Sequence, residues 1–435
     1  MPIPCDVVIL SGVQGDTRRY RAFHLCEQLR LAGISCELEH MALTDLSLLS
    51  TNANIYILQR VPWNQHIAAF VEQTRSQGNI ILADVDDLVF LQDSFQWIDS
   101  PDFVDPIRAR LYQENLERNR ITLEHCDGFI VSTAFLAEQL RSFGKPVWVH
   151  RNAFSLEMFA RSNETLINRR SIEGKVIIGY ASGTPTHDRD FAQVQPILKH
   201  LLEVYPHLHL HLIGHVHKAF EWGKVAHKVH YLKFVPWRDL PKLLAQLSVN
   251  IAPLRLDNPF SQSKSEIKYI EAALVKVSTV ASPTDAFRYA IQSGHNGFLA
   301  ASPEQWKTCL QELIEDPSLR MRIAENAYQD VLKRYSPWQR AEEAIQLLNA
   351  VSRQLKADAP SFPSLKIEPI IEPKSHVHLW VTGQVEKHPT LFERGLYTLK
   401  TRGMLTLFKE FWIFLRRTFA PWSFRRKKVT TYHYK

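Results

Sequence analysis

Two ammoniums and a carboxylate on one helical face are the residues of this chain best suited to chemistry. Lys264, Lys268 and Glu271 fall at i, i+4 and i+7 within NPFSQSKSEIKYIEAALVKVSTVAS, residues 258–282, which places them along one side of a helix. Ser263 followed three residues later by Glu266 reads as a capping box, so the helix is expected to begin there, with Ile267, Ile270, Ala273 and Leu274 facing a core. The free N–H groups and partial positive charge of a helix start, with two lysines beside it, suit a phosphate. Glu271, one to two turns deeper, is placed to accept hydrogen bonds from sugar hydroxyls. A solvated Lys/Glu ladder would carry the same pattern, so the remainder of the chain must decide.

Three further clusters bear on that decision. Ser182-Gly183-Thr184-Pro185-Thr186-His187-Asp188-Arg189 is a small-residue turn between a strand and a helix. Its backbone amides can cradle a phosphate, with His187 or Arg189 adding charge. Asp84, Asp86 and Asp87 follow the strand-like NIILA, where open α/β sheets bind ligands; the three carboxylates suit a metal, sugar hydroxyls or a general base. Gly15, Arg19 and Arg21 lie where the first strand turns into its helix, and the arginines there suit an acceptor or a phosphate. His207, His209 and His211 share one strand face, but leucines opposite and the lack of matching carboxylates favour a polar strand face over a metal site.

These clusters need elements to hold them. Strands are expected at 5–11, 35–39, 55–59, 79–83, 128–132 and 147–150, with helical patterns between, the first at Ala22–Ala32. The alternation restarts at Lys175 with strands at 175–181, 207–214, 229–234, 249–253 and 278–281, and helices at 303–315, 318–334 and 337–353. The fold class is therefore α/β, with two doubly wound, Rossmann-like domains. The expected division is 1–160, a linker at 161–174, 175–335, and a closing helix at 336–353 crossing back to the first domain. A linker at 354–389, with a short strand at Val377–Thr382, leads to a basic amphipathic tail at 390–435. The glycines near Gly12 and Gly15 lack full dinucleotide spacing, so a nicotinamide cofactor is not supported.

Charge is unevenly placed. The chain of 435 residues carries +7 overall, but residues 390–435 hold eleven Lys and Arg against two Glu. The body is thus near neutral, which argues against nucleic acid as its partner and for an anionic partner of the tail. Met404, Leu405, Phe408, Phe411, Trp412, Leu415 and Phe419 form an apolar stripe, flanked by Lys400, Arg402, Lys409, Arg416, Arg417 and the run Arg425-Arg426-Lys427-Lys428. That composition suits a helix lying in the interface of an anionic membrane. No run of about 18 apolar residues occurs. The opening MPIPCDVVILSG reads as a strand, not a signal peptide, so the expected location is cytoplasmic, peripheral on the inner face of the membrane. The five scattered cysteines read as reduced thiols.

With the pieces in order, the chain resembles the family-4 glycosyltransferases over roughly residues 5–352. The resemblance rests on RRYR at 18–21, ADVDDL, VHRNAF, IGYASGTPTHDRDF, HLIG, YLKFVPWRDLPKLLAQLSVNIAPL, KSEIKYIEAALVKVSTVAS, HNGFLA and RIAENAYQDVLKRYSPW. It implies the GT-B fold and a donor site marked by a Glu-x7-Glu signature. The second Glu of that signature aligns with Glu271, which would bind the ribose. The first position is Ser263, and Lys264-Ser265 looks like the KS variant of the motif. The family's phosphate-binding Arg and Lys fall near Thr184 and Arg189, and Phe234-Val235-Pro236 matches the loop that meets the base.

The expected activity is transfer of a sugar from a nucleotide-diphosphate sugar to a glycan or lipid-linked cell-envelope acceptor. The resemblance implies retention of configuration without a metal or other cofactor. Lys264 and Arg189 would stabilise the departing diphosphate, and Asp86 or Asp87 would orient the acceptor. Gly183, Thr184, His187, Val235, Ser263, Ser265, Lys268 and Glu271 would hold the donor; Gly15, Arg19, Arg21 and Asp84 would meet the acceptor. An epimerase or phosphorylase on the same fold, or a membrane-associated nucleotide-sugar-binding protein without turnover, would share much of this pattern.

Overall fold

The computed structural model describes residues 5–49, 53–169, 174–218, 220–355, 362–363, 367–369 and 389–419, with side chains of the last segment described to 415. The expectations for Val377–Thr382 and for the basic run 425–428 lie outside the described residues, as do the side chains of Arg416, Arg417 and Phe419.

The short apolar runs form strands because parallel sheets are covered on both faces and need little polar alternation. In the first half these are β1 (Cys5–Ser11), β2 (Cys36–His40), β3 (Ala53–Gln59), β4 (Ile80–Val85), β5 (Gly128–Val131) and β6 (Val147–Val149). They pair in parallel in the order β2-β1-β3-β4-β5-β6. The side chains of β1 divide by parity, with Val7 and Ile9 in one core and Val8 and Leu10 in the other. The second sheet holds β7 (Val176–Ser182), β8 (Leu208–Gly214), β9 (Val229–Leu232), β10 (Val249–Ala252), β11 (Ser278–Ala281) and β12 (Phe298–Leu299), in the order β12-β11-β10-β7-β8-β9. The edge strand β12 falls outside the strands expected from sequence, because two residues are too few to show a period.

The helix Pro337–Leu355 leaves the second domain and buries Ala341, Ala344, Ile345, Leu348 and Val351 against Val7, Ile9 and Ile57 of the first. Phe362 joins the same core, and its amide donates to Asn349 Oδ1 at 2.8 Å. The tail forms one helix, Leu391–Phe419, broken at Gly403 (φ 78°, ψ 171°), a conformation open only to glycine. Among the described residues no helix is long and apolar enough to cross a membrane.

Two helix starts differ from expectation. The first helix begins at Asp16, passes through a π-helical turn at Arg19–Phe23 and continues over His24–Leu31. The capping box does not form. Asn258 instead caps a short helix, Pro259–Gln262, accepting from the amides of Phe260 and Ser261. Ser263 closes that helix, its hydroxyl donating to the Phe260 carbonyl at 2.7 Å. The helix carrying Glu271 then runs Ile267–Leu274, with Glu266 at its N-cap making no capping bond through its side chain.

Candidate active site

Both sheets turn their carboxyl edges toward one cleft, so the loops after β1, β4, β7 and β9 face the start of the Ile267–Leu274 helix. The cavity there is about 450 Å³, within the usual range for a small-molecule site. Gly15, Arg19, Asp86 and Asp87 line it from the first domain. Gly183, Thr184, His187, Val235, Lys264, Ser265, Lys268 and Glu271 line it from the second.

Lys264 stands at the centre. Its Nζ lies 2.8 Å from Asp87 Oδ1, across the cleft, and 4.1 Å from the centroid of the Phe260 ring. One turn on, Lys268 donates to the Ala181 carbonyl and lies over the Tyr180 ring at 4.9 Å. Burial pushes the Lys268 ammonium down to about 8, with Lys264 adding repulsion and Glu271 and Asp190 opposing the shift. Glu271 accepts from the Tyr20 hydroxyl at 2.6 Å and sits 3.8 Å from Arg19. Burial raises its carboxyl, while Arg19 and Tyr20 pull the other way. Ser265 Oγ accepts from Asn152 Nδ2 at 2.9 Å, another link between the domains.

The aspartate cluster divides into two environments. Arg60, at the carboxyl end of β3 with φ 45°, forks onto Asp86 at 2.5 Å and Asp87 at 2.5 Å. Burial raises the Asp86 carboxyl, with Arg60 opposing and the neighbouring Asp87 charge reinforcing. Asp87 is buried as well, but Lys264 and Arg60 together outweigh that and hold it low. Two adjacent carboxyls with opposite shifts are a common arrangement at reacting centres.

Asp84 belongs to neither environment. It is buried and takes a bidentate pair from Arg21, Nε to Oδ1 at 2.9 Å and Nη2 to Oδ2 at 2.7 Å. Arg21 also donates to the His150 carbonyl at 2.7 Å and to Asn152 Oδ1 at 3.0 Å. The acceptor contacts expected of Arg21 and Asp84 are therefore corrected: Arg19 and Tyr20 line the cavity, but the Arg21 side chain next to them is buried with Asp84 inside the domain. Ser263 is likewise buried away from the cleft, turned by the cap at Asn258. Arg189 lies on the rim with 53% of its side chain exposed, paired with Asp99 at 3.0 Å and outside the cavity lining. The catalytic expectation for Arg189 does not fit that place.

Several residues that hold the site are not evident from sequence. Asp190 accepts from the Arg255 amide at 2.8 Å and the Ser261 hydroxyl at 3.0 Å, and bonds His187 Nδ1 at 2.8 Å. It thereby ties the turn after β7 to the segment leading into Lys264. Burial keeps His187 toward its neutral form, with Asp190 opposing. Trp237 stacks on Arg19 at 4.6 Å, and Gly214, with φ 85°, lets β8 end against Ser182, whose carbonyl would stand 2.3 Å from a Cβ. On strand β8, His209 stacks on His230, and burial pushes His211 down to about 4.

With this geometry in view, comparison with known proteins gives the class. Residues 189–346 match the family model described as glycosyl transferase-like. Sucrose-phosphate synthase from Thermosynechococcus elongatus superposes with a TM-score of 0.55 at 15% identity, over 81% of this chain and 100% of that one. A glycosyltransferase from Rickettsia africae gives 0.55 at 12% identity, over 81% and 100%. HepE of Anabaena, solved in complex with UDP, gives 0.53 at 13% identity, over 79% and 100%. No curated protein matches the chain in sequence. The fold is GT-B, two Rossmann-like domains across a cleft, and with the matched segment it supports a glycosyltransferase enzyme.

Proposed function

We propose that this chain transfers a sugar from a nucleoside-diphosphate donor to a glycan acceptor in the interdomain cleft. The observation that carries the reading is the pair Lys264 and Lys268 flanking the start of the Ile267–Leu274 helix, inside a cavity shared by both domains. The first amides of any helix lack intrahelical partners, and two ammoniums beside them form a seat for a diphosphate. Glu271 would take the ribose hydroxyls and the Phe234–Pro236 loop the base. UDP is the natural first donor nucleotide to try, because the Anabaena neighbour was solved with it.

In the reaction the bond from the anomeric carbon to the β-phosphate oxygen breaks and a bond to an acceptor oxygen forms. Charge grows on the departing diphosphate, where Lys264, Lys268 and the helix start oppose it in a water-poor site. Lys268 takes the part first expected of Arg189. Asp86 and Asp87, held by Arg60, would orient the acceptor hydroxyl. Retention of configuration and independence from metals and other cofactors follow the family resemblance. With retention, the hydroxyl proton passes to the departing phosphate on the same face. The basic tail suits an anionic membrane surface as a further partner.

Lys264→Ala tests the reading. Release of nucleoside diphosphate from donor plus acceptor should fall by about 10²–10³, the usual loss for one charge-stabilising donor. Thermal stability should stay close to wild type. Unchanged turnover would remove Lys264 from the chemistry.

A further inference from the structure

The tail helix divides its two faces in a way that points to a partner. Its first half is docked: Asn64 Nδ2 donates to the Tyr397 hydroxyl at 2.9 Å, and Arg402 reaches Glu114 at 3.4 Å. Across the break at Gly403 the two halves are tied together, Thr398 to Glu410 at 3.0 Å and Arg402 to Glu410 at 2.9 Å. The second half turns large apolar side chains outward, with Met404 61% exposed, Leu405 71%, Phe408 62% and Phe411 54%. Such a contiguous patch is unusual on a water-facing surface and marks a binding face.

The docking place matters as much as the patch. Asn64 caps the helix Gln65–Ser76, which follows β3. Between that helix, the tail and the segment after β2 lies a groove of about 590 Å³, lined by Leu43, Phe70 and Leu396 and by the charged Asp45, Glu393 and Lys400. In an all-parallel sheet the loops after β2 and β3 lie at the same edge as the loops after β1 and β4, which carry Gly15 and Asp86–Asp87. The tail therefore stands at the acceptor side of the first domain.

We infer that the acceptor is carried on a lipid, and that the tail seats this edge of the first domain on an anionic bilayer. The inference rests on the glycosyl-transfer reading and names its acceptor class. Charge selects the occupant. The segment 390–435 holds eleven basic and two acidic residues, which suits anionic headgroups, while the exposed aromatic and aliphatic side chains suit the acyl boundary beneath them. The groove itself carries Asp45 and Glu393 beside Lys400, so it is the exposed face of Met404, Leu405, Phe408 and Phe411, and not the groove, that meets the bilayer.

The test uses the full chain and Phe408→Glu/Phe411→Glu. Wild type should float with phosphatidylglycerol vesicles and not with phosphatidylcholine alone. The double variant should lose partitioning by more than about a hundredfold, as expected when two aromatic side chains are withdrawn from lipid. UDP binding by calorimetry should be equal in both. Its absence from both would count against the glycosyl-transfer reading, whereas equal flotation of both would overturn only the membrane seat. With a bacterial membrane lipid extract and labelled UDP-glucose, label should enter the solvent-extractable fraction with wild type and fall sharply with the variant. Label appearing only on water-soluble glycan would overturn the lipid-acceptor class. Concentration-dependent self-association through the same side chains, without flotation, would assign the face to a second copy and overturn the inference.

Discussion

Lys268 makes the donor seat sensitive to pH. Its ammonium is held near 8, well below the ordinary lysine value of about 10.4, because burial disfavours the charge. Below that point Lys268 is an ammonium; above it Lys268 is neutral. A bound diphosphate restores the charge, so binding above pH 8 must draw a proton from solution. We predict that UDP affinity falls as pH rises from about 8 to 10, and that calorimetry in buffers of different ionisation enthalpy shows proton uptake. Lys268→Met should bind weakly throughout and lose that dependence. A flat profile in wild type would remove Lys268 from the diphosphate contact. Nearby, Asp87 shares Lys264 with the expected ligand, so a diphosphate would compete for the ammonium and release the carboxylate toward the acceptor side.

At the scale of elements, the helix after β1 is anchored by Arg21, which joins it to β4 through Asp84 and to the segment after β6 through His150 and Asn152. Arg21→Ala should cost about 3–5 kcal/mol in urea unfolding, since it leaves a buried carboxylate without its partner. An effect confined to turnover would instead return Arg21 to the acceptor site. The sequence could not distinguish these roles, because an arginine behind a glycine turn looks the same whether it faces a cleft or a core 63 positions away in the chain. Periodicity served well where burial dictates residue type, in the apolar runs of both sheets and in the Lys268 and Glu271 face, whereas Lys264 precedes that helix and reaches the same cavity from the segment before it. It served poorly where local signals compete. Asn258-Pro259 is itself a cap followed by a favoured first residue, and it displaced the Ser263–Glu266 box. Arg60 escaped notice because its role depends on a neighbouring strand, β4, supplying the carboxylates.

For the whole molecule, the cleft is bridged by Lys264 to Asp87, Tyr20 to Glu271 and Asn152 to Ser265. These contacts occupy the groups assigned to the donor, so nucleotide binding must exchange partners across the cleft while the helix Pro337–Leu355 keeps the domains joined. Domain closure around a ligand commonly proceeds through such exchange. Titration calorimetry of UDP into wild type and Glu271→Gln asks whether this cleft is a nucleotide site. We predict one site per chain in wild type and an affinity about tenfold or more lower in the variant, the loss expected for a charged hydrogen bond to ribose. No binding of UDP or any other nucleoside diphosphate to wild type, or equal affinity in the two proteins, would contradict it.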